Sequence, residues 1–180
     1  MAEIAGLKLI VPSSVSAGTG TASVSASGKV TFTSADNVSV NGVFSATHDN
    51  YLIVIQQTGP NGENAELRWR ASGSDASGSN YVRQFLNANS TTVSGSRDTQ
   101  SVFNYGVGST NPDGYHIYIY GPFLTQPTAA RSVTALSSGG ARIVDLANTH
   151  SLSTSYDGFT LRSQLGTTFT GTLTVYGLSQ

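Results

Sequence analysis

Three histidines are the side chains of this sequence that most readily suggest metal binding or proton transfer. His48, His116 and His150 are dispersed, and no two histidines have the His-x-x-His or His-x-x-x-His spacing of a zinc site. The sequence has no cysteine, which excludes thiolate metal ligands and disulfides. We therefore expect no metal and no cofactor, and we interpret the histidines as turn and sheet-surface residues.

Three aspartates could in principle act as acid–base groups. Asp49, Asp113 and Asp157 each stand next to Asn or Gly and just before an aromatic residue. Asp in such a position bonds backbone groups of a turn, so a structural role accounts for all three. A glycosidase needs two carboxyl groups about 5–9.5 Å apart, and nothing in these spacings brings two together. The sequence predicts no catalytic residue and no enzymatic activity, and a sugar hydrolase is the least favoured function.

A polar loop, residues 72–80, has side chains better suited to binding. It carries several serine hydroxyls, and it follows a strand with two outward arginines and precedes a tyrosine. Side-chain hydrogen bonds beside an aromatic ring suit a sugar or a subunit contact, while an ordinary solvated connection is the alternative. The predicted ligand or subunit contact consists of Arg68, Arg70, Asp75, Asn80 and Tyr81.

The segments before this loop must hold it in place. The apolar run 51–55 predicts a strand that is covered on both faces. After the turn signal at Asn61-Gly62, apolar and charged residues alternate over 66–71. This alternation directs Leu67 and Trp69 to one face and the two arginines to the other. We expect Trp69 to lie in the main core with Leu67, Ile53 and Ile117.

Similar short apolar runs, separated by turn signals, continue along the chain. About ten to twelve strands are expected and no helix, with a polar link at 91–96 and a hairpin around Gly139-Gly140. A chain of 180 residues fits one domain. The predicted fold class is all-β, a single antiparallel β-sandwich, jelly-roll-like, with a short N-terminal arm.

The N-terminal segment, residues 1–15, is predicted separately from the sandwich domain, residues 16–180. Its strand over 6–11 ends at Pro12 and is followed by a Ser-Gly link. This strand is either the first strand of the sandwich or an arm that pairs with a neighbouring subunit. No secretory signal is recognised, so we expect a protein made in the cytoplasm and not secreted.

Charge and surface composition bear on the partners. The net charge is −1 and charged residues make up 11%, against a usual ~25%. There is no basic surplus for nucleic acid and no apolar segment near the ~20 residues needed to cross a membrane. Few charges favour self-association, and we expect a homotrimer, with a second layer of the same sandwich as the rival explanation for outward tyrosines. The predicted assembly contacts are Leu7, Leu9, Val11, Tyr118, Tyr120 and Tyr176.

Seven segments, in chain order, carry a family resemblance. They are GLKLIVPSS (6–14), GKVTFT (28–33), VNGVFSAT (40–47), DNYLIVI (49–55), LRWRASG (67–73), SGSNY (77–81) and TGTLTVYG (170–177). Together they resemble a loose family of accessory virion proteins of tailed bacteriophages, namely minor tail, tail-fibre and head-decoration proteins. The resemblance implies β-sandwich modules that decorate capsids or tails, commonly as trimers and sometimes in contact with host glycans, and it supplies no catalytic motif.

These observations lead to two hypotheses of function. The first is a non-enzymatic structural protein of the virion, which binds copies of itself and other capsid or tail proteins. The alternative is a carbohydrate-binding module that contacts a host surface glycan.

Overall fold

The computed structural model describes residues 6–59, 61–136 and 142–178. Residues 1–5 of the predicted arm, Pro60 and the turn of the predicted Gly139-Gly140 hairpin lie outside these ranges, whereas the two strands of that hairpin are described and pair as β13 and β14. The described residues form strands and turns and no helix, as predicted. The strands are β1 (Leu7–Ile10), β2 (Ser14–Ala17), β3 (Thr21–Val24), β4 (Val30–Ala35), β5 (Asn37–Asn41), β6 (Asn50–Thr58), β7 (Asn64–Ala71), β8 (Ser74–Asp75), β9 (Tyr81–Asn89), β10 (Thr92–Gln100), β11 (Phe103–Val107), β12 (Asp113–Tyr120), β13 (Thr128–Ala135), β14 (Arg142–His150), β15 (Gly158–Ser163) and β16 (Phe169–Leu178).

These strands form two antiparallel sheets. The large sheet has the order β10-β9-β14-β13-β12-β6-β16-β4-β3, and β1 also pairs with β16. The small sheet has the order β11-β7-β15-β5-β2, and β8 also pairs with β7.

Eight strands pair in a nested order, the first with the last. β4 pairs with β16, β5 with β15, β6 with β12, and β7 with β11. Successive pairs alternate between the large and the small sheet, which is the strand arrangement of a jelly roll. The predicted all-β, antiparallel, jelly-roll-like sandwich is therefore confirmed.

Two hairpins extend the large sheet beyond this jelly roll. The β9–β10 hairpin is inserted between β8 and β11, and the β13–β14 strands between β12 and β15. The predicted polar link at 91–96 is wrong, because most of it belongs to the nine-residue strand β10. The strand count of ten to twelve was too low for the same reason, since short or polar strands show little apolar alternation.

The core lies between the two sheets. Trp69 is only 2% exposed and belongs to one buried cluster with Leu67, Ile53 and Ile117, as predicted. Its ring stacks on Phe103 with 6.0 Å between the ring centroids. Alternation along β7 therefore determines which face of the small sheet is apolar and which remains for polar side chains.

The N-terminal strand β1 belongs to the large sheet of its own chain. Leu7 pairs with Leu178 and Leu9 with Tyr176 in an antiparallel register. The predicted domain boundary at residue 15 falls inside β2, which pairs with β5 in the small sheet. The described part of the segment 1–15 therefore contributes strands to both sheets.

Candidate functional site

The outward face of the small sheet carries the predicted contact residues Arg68, Arg70 and Asp75. Strand alternation places the arginines opposite the buried Leu67 and Trp69. They line an open depression of about 370 Å³ whose walls and floor are mostly polar. The lining residues are Asp36, Asn37, Ser39, Arg68, Arg70, Asp75, Thr160, Arg162, Ser163 and Gly166.

Arg70 and Asp75 form a closed hydrogen-bond network at one end of this depression. Arg70 donates Nη1–H to the Asp75 carboxylate and to Thr160 Oγ1, the latter at 2.9 Å. Thr160 in turn donates to Asp75 Oδ1 at 2.7 Å. Arg70 also donates Nε–H to Asn41 Oδ1 at 3.0 Å and Nη2–H to the Gly73 carbonyl. Because these groups already bond one another, their first role is to hold β8 and its loop on the sheet.

Arg68 has fewer partners than Arg70. Its Nε–H donates to the Ser101 carbonyl at 3.2 Å, and no carboxylate of the described residues lies within ion-pair distance. The neighbouring Arg162 pairs with Glu66 at 3.3 Å. Burial raises the pKa of the Glu66 carboxyl above its usual value, although Arg162 and Arg68 act in the opposite direction.

Tyr81 is not part of an exposed binding surface. Its side chain is fully buried, and its hydroxyl accepts from the Trp69 N–H at 3.0 Å and donates to the Ala76 carbonyl at 2.8 Å. Burial raises the pKa of the Tyr81 hydroxyl well above its usual value. The prediction of an aromatic platform at Tyr81 is therefore wrong, because the buried ring anchors the end of the loop to the core.

Asn80 also has a structural position. Its backbone N–H donates to the Gly78 carbonyl at 2.8 Å, and its carbonyl accepts from the Ser151 N–H at 2.9 Å. The structure thus brings Arg68, Arg70 and Asp75 together at the depression, while Asn80 and Tyr81 fasten the end of the loop.

His150 is a core residue, contrary to the prediction of a loop position. It ends β14, its ring packs edge-on to Tyr81 with 4.4 Å between centroids, and its Nδ1 lies 2.9 Å from the Tyr156 hydroxyl. Burial lowers the pKa of the His150 imidazole. His116 is exposed on β12 and His48 packs beside Tyr51. Among the described residues, no group of three His, Asp or Glu side chains is arranged to hold a metal ion.

Asp49 and Asp113 lie at opposite ends of one strand pair. Asp113 pairs with Gln57 at one end of β6, whereas Asn50, next to Asp49, pairs with Tyr120 at the other. Seven residues of strand separate the two ends, which is about 23 Å. These two carboxylates cannot act on the same glycosidic bond.

The predicted assembly residues share the outer face of the large sheet. Tyr176 pairs with Leu9 on one side and with Leu52 on the other, and Leu52 pairs with Tyr118. The next row contains Leu7 and Tyr120, and Val11 follows β1 directly. Leu7 is 55% exposed and Tyr120 46%. We call the six residues Leu7, Leu9, Val11, Tyr118, Tyr120 and Tyr176 the outer-face patch.

A groove of about 480 Å³ adjoins the outer-face patch at Tyr120. Its lining includes the small or short side chains of Ala129, Ala147 and Thr149. The longer side chains of Gln84, Arg97 and Arg131 also line it.

The two arginines of the groove differ in their ion pairing. Arg131 donates Nε–H to Asp145 Oδ1 at 2.9 Å and Nη2–H to Oδ2, while Arg97 is exposed and makes no ion pair with the described residues. Sequence reasoning missed these residues because the pairing of β9, β10, β13 and β14 brings them together, and no local pattern specifies that pairing. The nearest sequence signal is Asn89-Ser90-Thr91, where the β9–β10 hairpin turns and Ser90 has a φ of 54°.

Comparison with protein-family models and with curated proteins gives no match for this sequence. None of the described residues belongs to a helix that could span a membrane. Support for a function therefore comes from surface geometry and from the resemblance of the seven segments.

Proposed function

We propose that this protein is a non-enzymatic structural protein of a tailed-phage virion, which decorates the capsid or tail as a compact β-sandwich subunit. The observation that carries the proposal is the outer-face patch. Leu7 and Leu9 are distant in sequence from the three tyrosines, yet strand pairing brings these five residues onto one face, and Val11 follows β1 directly. The resemblance of the seven segments supports the assignment to a virion.

The chemistry of the outer-face patch suits association. All six side chains are apolar or tyrosine, and contiguous exposed apolar surface marks interaction sites in soluble proteins. A tyrosine buries a large area while its hydroxyl keeps a polar partner, which favours it at interfaces. Leu52, between Tyr118 and Tyr176, is only 8% exposed because its neighbours already cover it.

The proposed first partner is another copy of this chain, in a homotrimer. A nearly neutral protein with an exposed apolar face risks open-ended aggregation, and cyclic symmetry closes the contact. In this arrangement the outer-face patch lies around the three-fold axis. The patch residues that remain exposed at the rim contact capsid or tail proteins.

A matched pair of variants tests the proposal. The double variant Leu9→Ser, Tyr118→Ser removes two patch side chains, whereas Leu165→Ser changes a residue that is 73% exposed outside the patch. We expect the patch variant to lose about threefold in mass by light scattering and to stop attaching to particles that lack the protein. The Leu165→Ser variant should keep both properties. An unchanged mass together with unchanged attachment of a folded patch variant would contradict the proposal.

The second candidate function is binding of a host surface glycan, and the groove beside Tyr120 favours it. A tyrosine next to guanidinium, amide and hydroxyl groups can face the apolar side of a sugar while polar side chains bond its hydroxyls. Calorimetry with host surface polysaccharide would show heat of binding for the wild type and an at least tenfold weaker affinity for Gln84→Ala, Arg97→Ala. Binding that survives this change excludes the groove.

A further inference from the structure

The edge of the large sheet at β10 is long and uncovered. β10 pairs with β9 along all nine residues, from Thr92 to Gln100, without a register shift. No other described strand pairs with its second edge, and no backbone hydrogen bond from a described residue outside the ladder reaches it. The groups on such an edge can form a ladder with another strand.

The common protections of an edge strand are weak at β10. Edges are usually blunted by short length, proline, a bulge or a charged side chain, above all lysine. The other edge strands, β1, β2, β3, β8 and β11, have two to five residues each, and β1 carries Lys8. β10 contains no proline and no lysine, and Arg97 is its one charged side chain without an ion pair to the described residues. Its Asp98 is neutralised within the chain by Arg83, with 3.0 Å from Nε to Oδ1 and 2.6 Å from Nη2 to Oδ2.

We propose that β10 pairs with the β10 of a second copy of this chain, antiparallel and across a two-fold axis at Ser96. Ser96 is the midpoint of the strand, so this register joins all nine residues of both edges. The two large sheets then form one continuous sheet. This contact is separate from the outer-face patch.

The side chains of β10 are complementary to themselves in this register. Side chains alternate between the two faces of a strand, and residues directly opposite each other share a face of the sheet. The numbers of two opposite residues must therefore add up to an even number, so the two-fold axis passes through a residue and not between two residues. With the axis at Ser96, Arg97 faces Gly95 of the second copy and Asp98 faces Ser94. Each charged side chain therefore lies opposite a small residue.

Neighbouring registers are less favourable. With the axis at residue 97, Arg97 faces the Arg97 of the second copy, and like charges directly opposite are destabilising. With the axis at residue 98, the ladder is shorter because β10 ends at Gln100. Registers centred on residues 94 or 95 avoid this repulsion, but they shorten the ladder because β10 begins at Thr92. Only the central register combines the full ladder with no like-charge pair.

Single cysteines test the register, because the natural chain has none. In the proposed pair the two Cα atoms of residue 96 are about 4.5–5.5 Å apart, within disulfide range. The two Cα atoms of residue 94 are about 14 Å apart and cannot be bridged. Both serines are exposed on the same strand and face, so Ser94→Cys is the matched control for Ser96→Cys.

With oxidised glutathione as oxidant, we expect Ser96→Cys to form a disulfide dimer at least tenfold faster than Ser94→Cys. Two lysine variants give an independent readout at low salt. Ser96→Lys places two cations opposite each other and should weaken the two-fold contact at least threefold, whereas Ser94→Lys faces Asp98 and should not weaken it. Equal cross-linking of the two cysteine variants, or an unchanged two-fold contact in Ser96→Lys, would overturn the proposal.

The masses of two separate variants distinguish the β10 contact from assembly through the outer-face patch. Ser96→Lys should halve the mass of the assembled protein, whereas the Leu9→Ser, Tyr118→Ser variant should reduce it threefold. If only the Leu9→Ser, Tyr118→Ser variant loses mass, the β10 contact is absent and assembly through the patch stands. If only Ser96→Lys loses mass, assembly through the patch is absent and the β10 contact stands.

Discussion

Individual side chains in this protein take their roles from the neighbours that strand pairing gives them. Arg68 and Arg70 are two residues apart on one strand face. Asp75 and Thr160 enclose Arg70, whereas the side chain of Arg68 makes one hydrogen bond to the described residues. Tyr81 adjoins a polar loop in sequence and is nevertheless fully buried. Residue type alone therefore does not separate a binding residue from a structural one.

Trp69 provides the first prediction at this scale. Replacing Trp69 with Ala removes a buried indole that stacks on Phe103 and packs against Phe44. We expect the free energy of unfolding to fall by about 3–5 kcal/mol, from lost burial and the cavity left behind. Denaturant melts measure this change, and the exposed Leu165→Ala serves as control with a change below about 0.5 kcal/mol. A loss under about 1 kcal/mol for Trp69→Ala would place the ring outside the core.

His150 gives a prediction of pH dependence. Burial lowers the pKa of its imidazole in the folded state, so the unfolded chain binds a proton more readily. Stability from the neutral ring is complete above the unfolded pKa of about 6.5 and is lost as the pH falls below it. The free energy of unfolding of the wild type should therefore drop more between pH 7 and pH 5 than that of His150→Gln. Equal slopes in denaturant melts across this range would show that His150 does not contribute.

Strands at the edges of the large sheet form much of the surface that we propose for binding partners. β1 is paired with β16 in its own chain, but only Ile10 of this strand is packed against the core. Leu7 and Leu9 remain exposed and join the outer-face patch. At the far edge of the same sheet, the second edge of β10 pairs with no other described strand. Both elements add little to the core and much to the accessible surface.

Deletion of residues 1–11 tests the role of β1. Because β1 gives the core one half-buried residue, we expect a folded domain with a cooperative thermal transition. Loss of Leu7, Leu9 and Val11 should abolish attachment to particles. Circular dichroism and a particle-binding assay measure the two outcomes. An unfolded product would instead make β1 an essential strand of the sandwich, and retained attachment would remove it from the assembly contact.

The whole molecule combines a closed apolar core with a surface of low charge. The jelly-roll pairing joins strands that are far apart in sequence, as in the hydrogen bond at 2.9 Å from the Ser34 N–H to Thr170 Oγ1, 136 residues apart. The large sheet extends beyond the small one through the β9–β10 and β13–β14 strands. This extension creates the groove beside Tyr120 and the uncovered edge at β10. The outer face of the large sheet is the surface through which we propose that the protein assembles.

Assembly through the outer-face patch should be insensitive to salt. None of its six residues is charged, and screening weakens interactions between exposed charges without weakening apolar contacts. Three copies of an 18.7 kDa chain give about 56 kDa, and multiples of this mass should persist from 50 to 500 mM NaCl. Light scattering across the salt series measures the mass. Dissociation at high salt would show that ion pairs, and not the patch, hold the subunits together.

Local alternation was enough to predict the faces of the strongest strands. It placed Trp69 in the core, Arg68 outward, and the three tyrosines opposite Ile117, Ile119 and Val175, because side-chain direction in a strand depends only on parity. Composition likewise indicated an all-β chain with few charges. These features depend on residues that are close in sequence, so they can be predicted without the partners of each strand.

Tertiary structure alone decided which strands became neighbours. It buried Tyr81 and His150 together, set Leu9 beside Tyr176, and left β10 at an edge. Polar strands such as β10 carry no apolar period, and pairing across more than a hundred residues depends on how every intervening segment folds. The surfaces proposed for function therefore arise from long-range pairing, which the local pattern of residues does not specify.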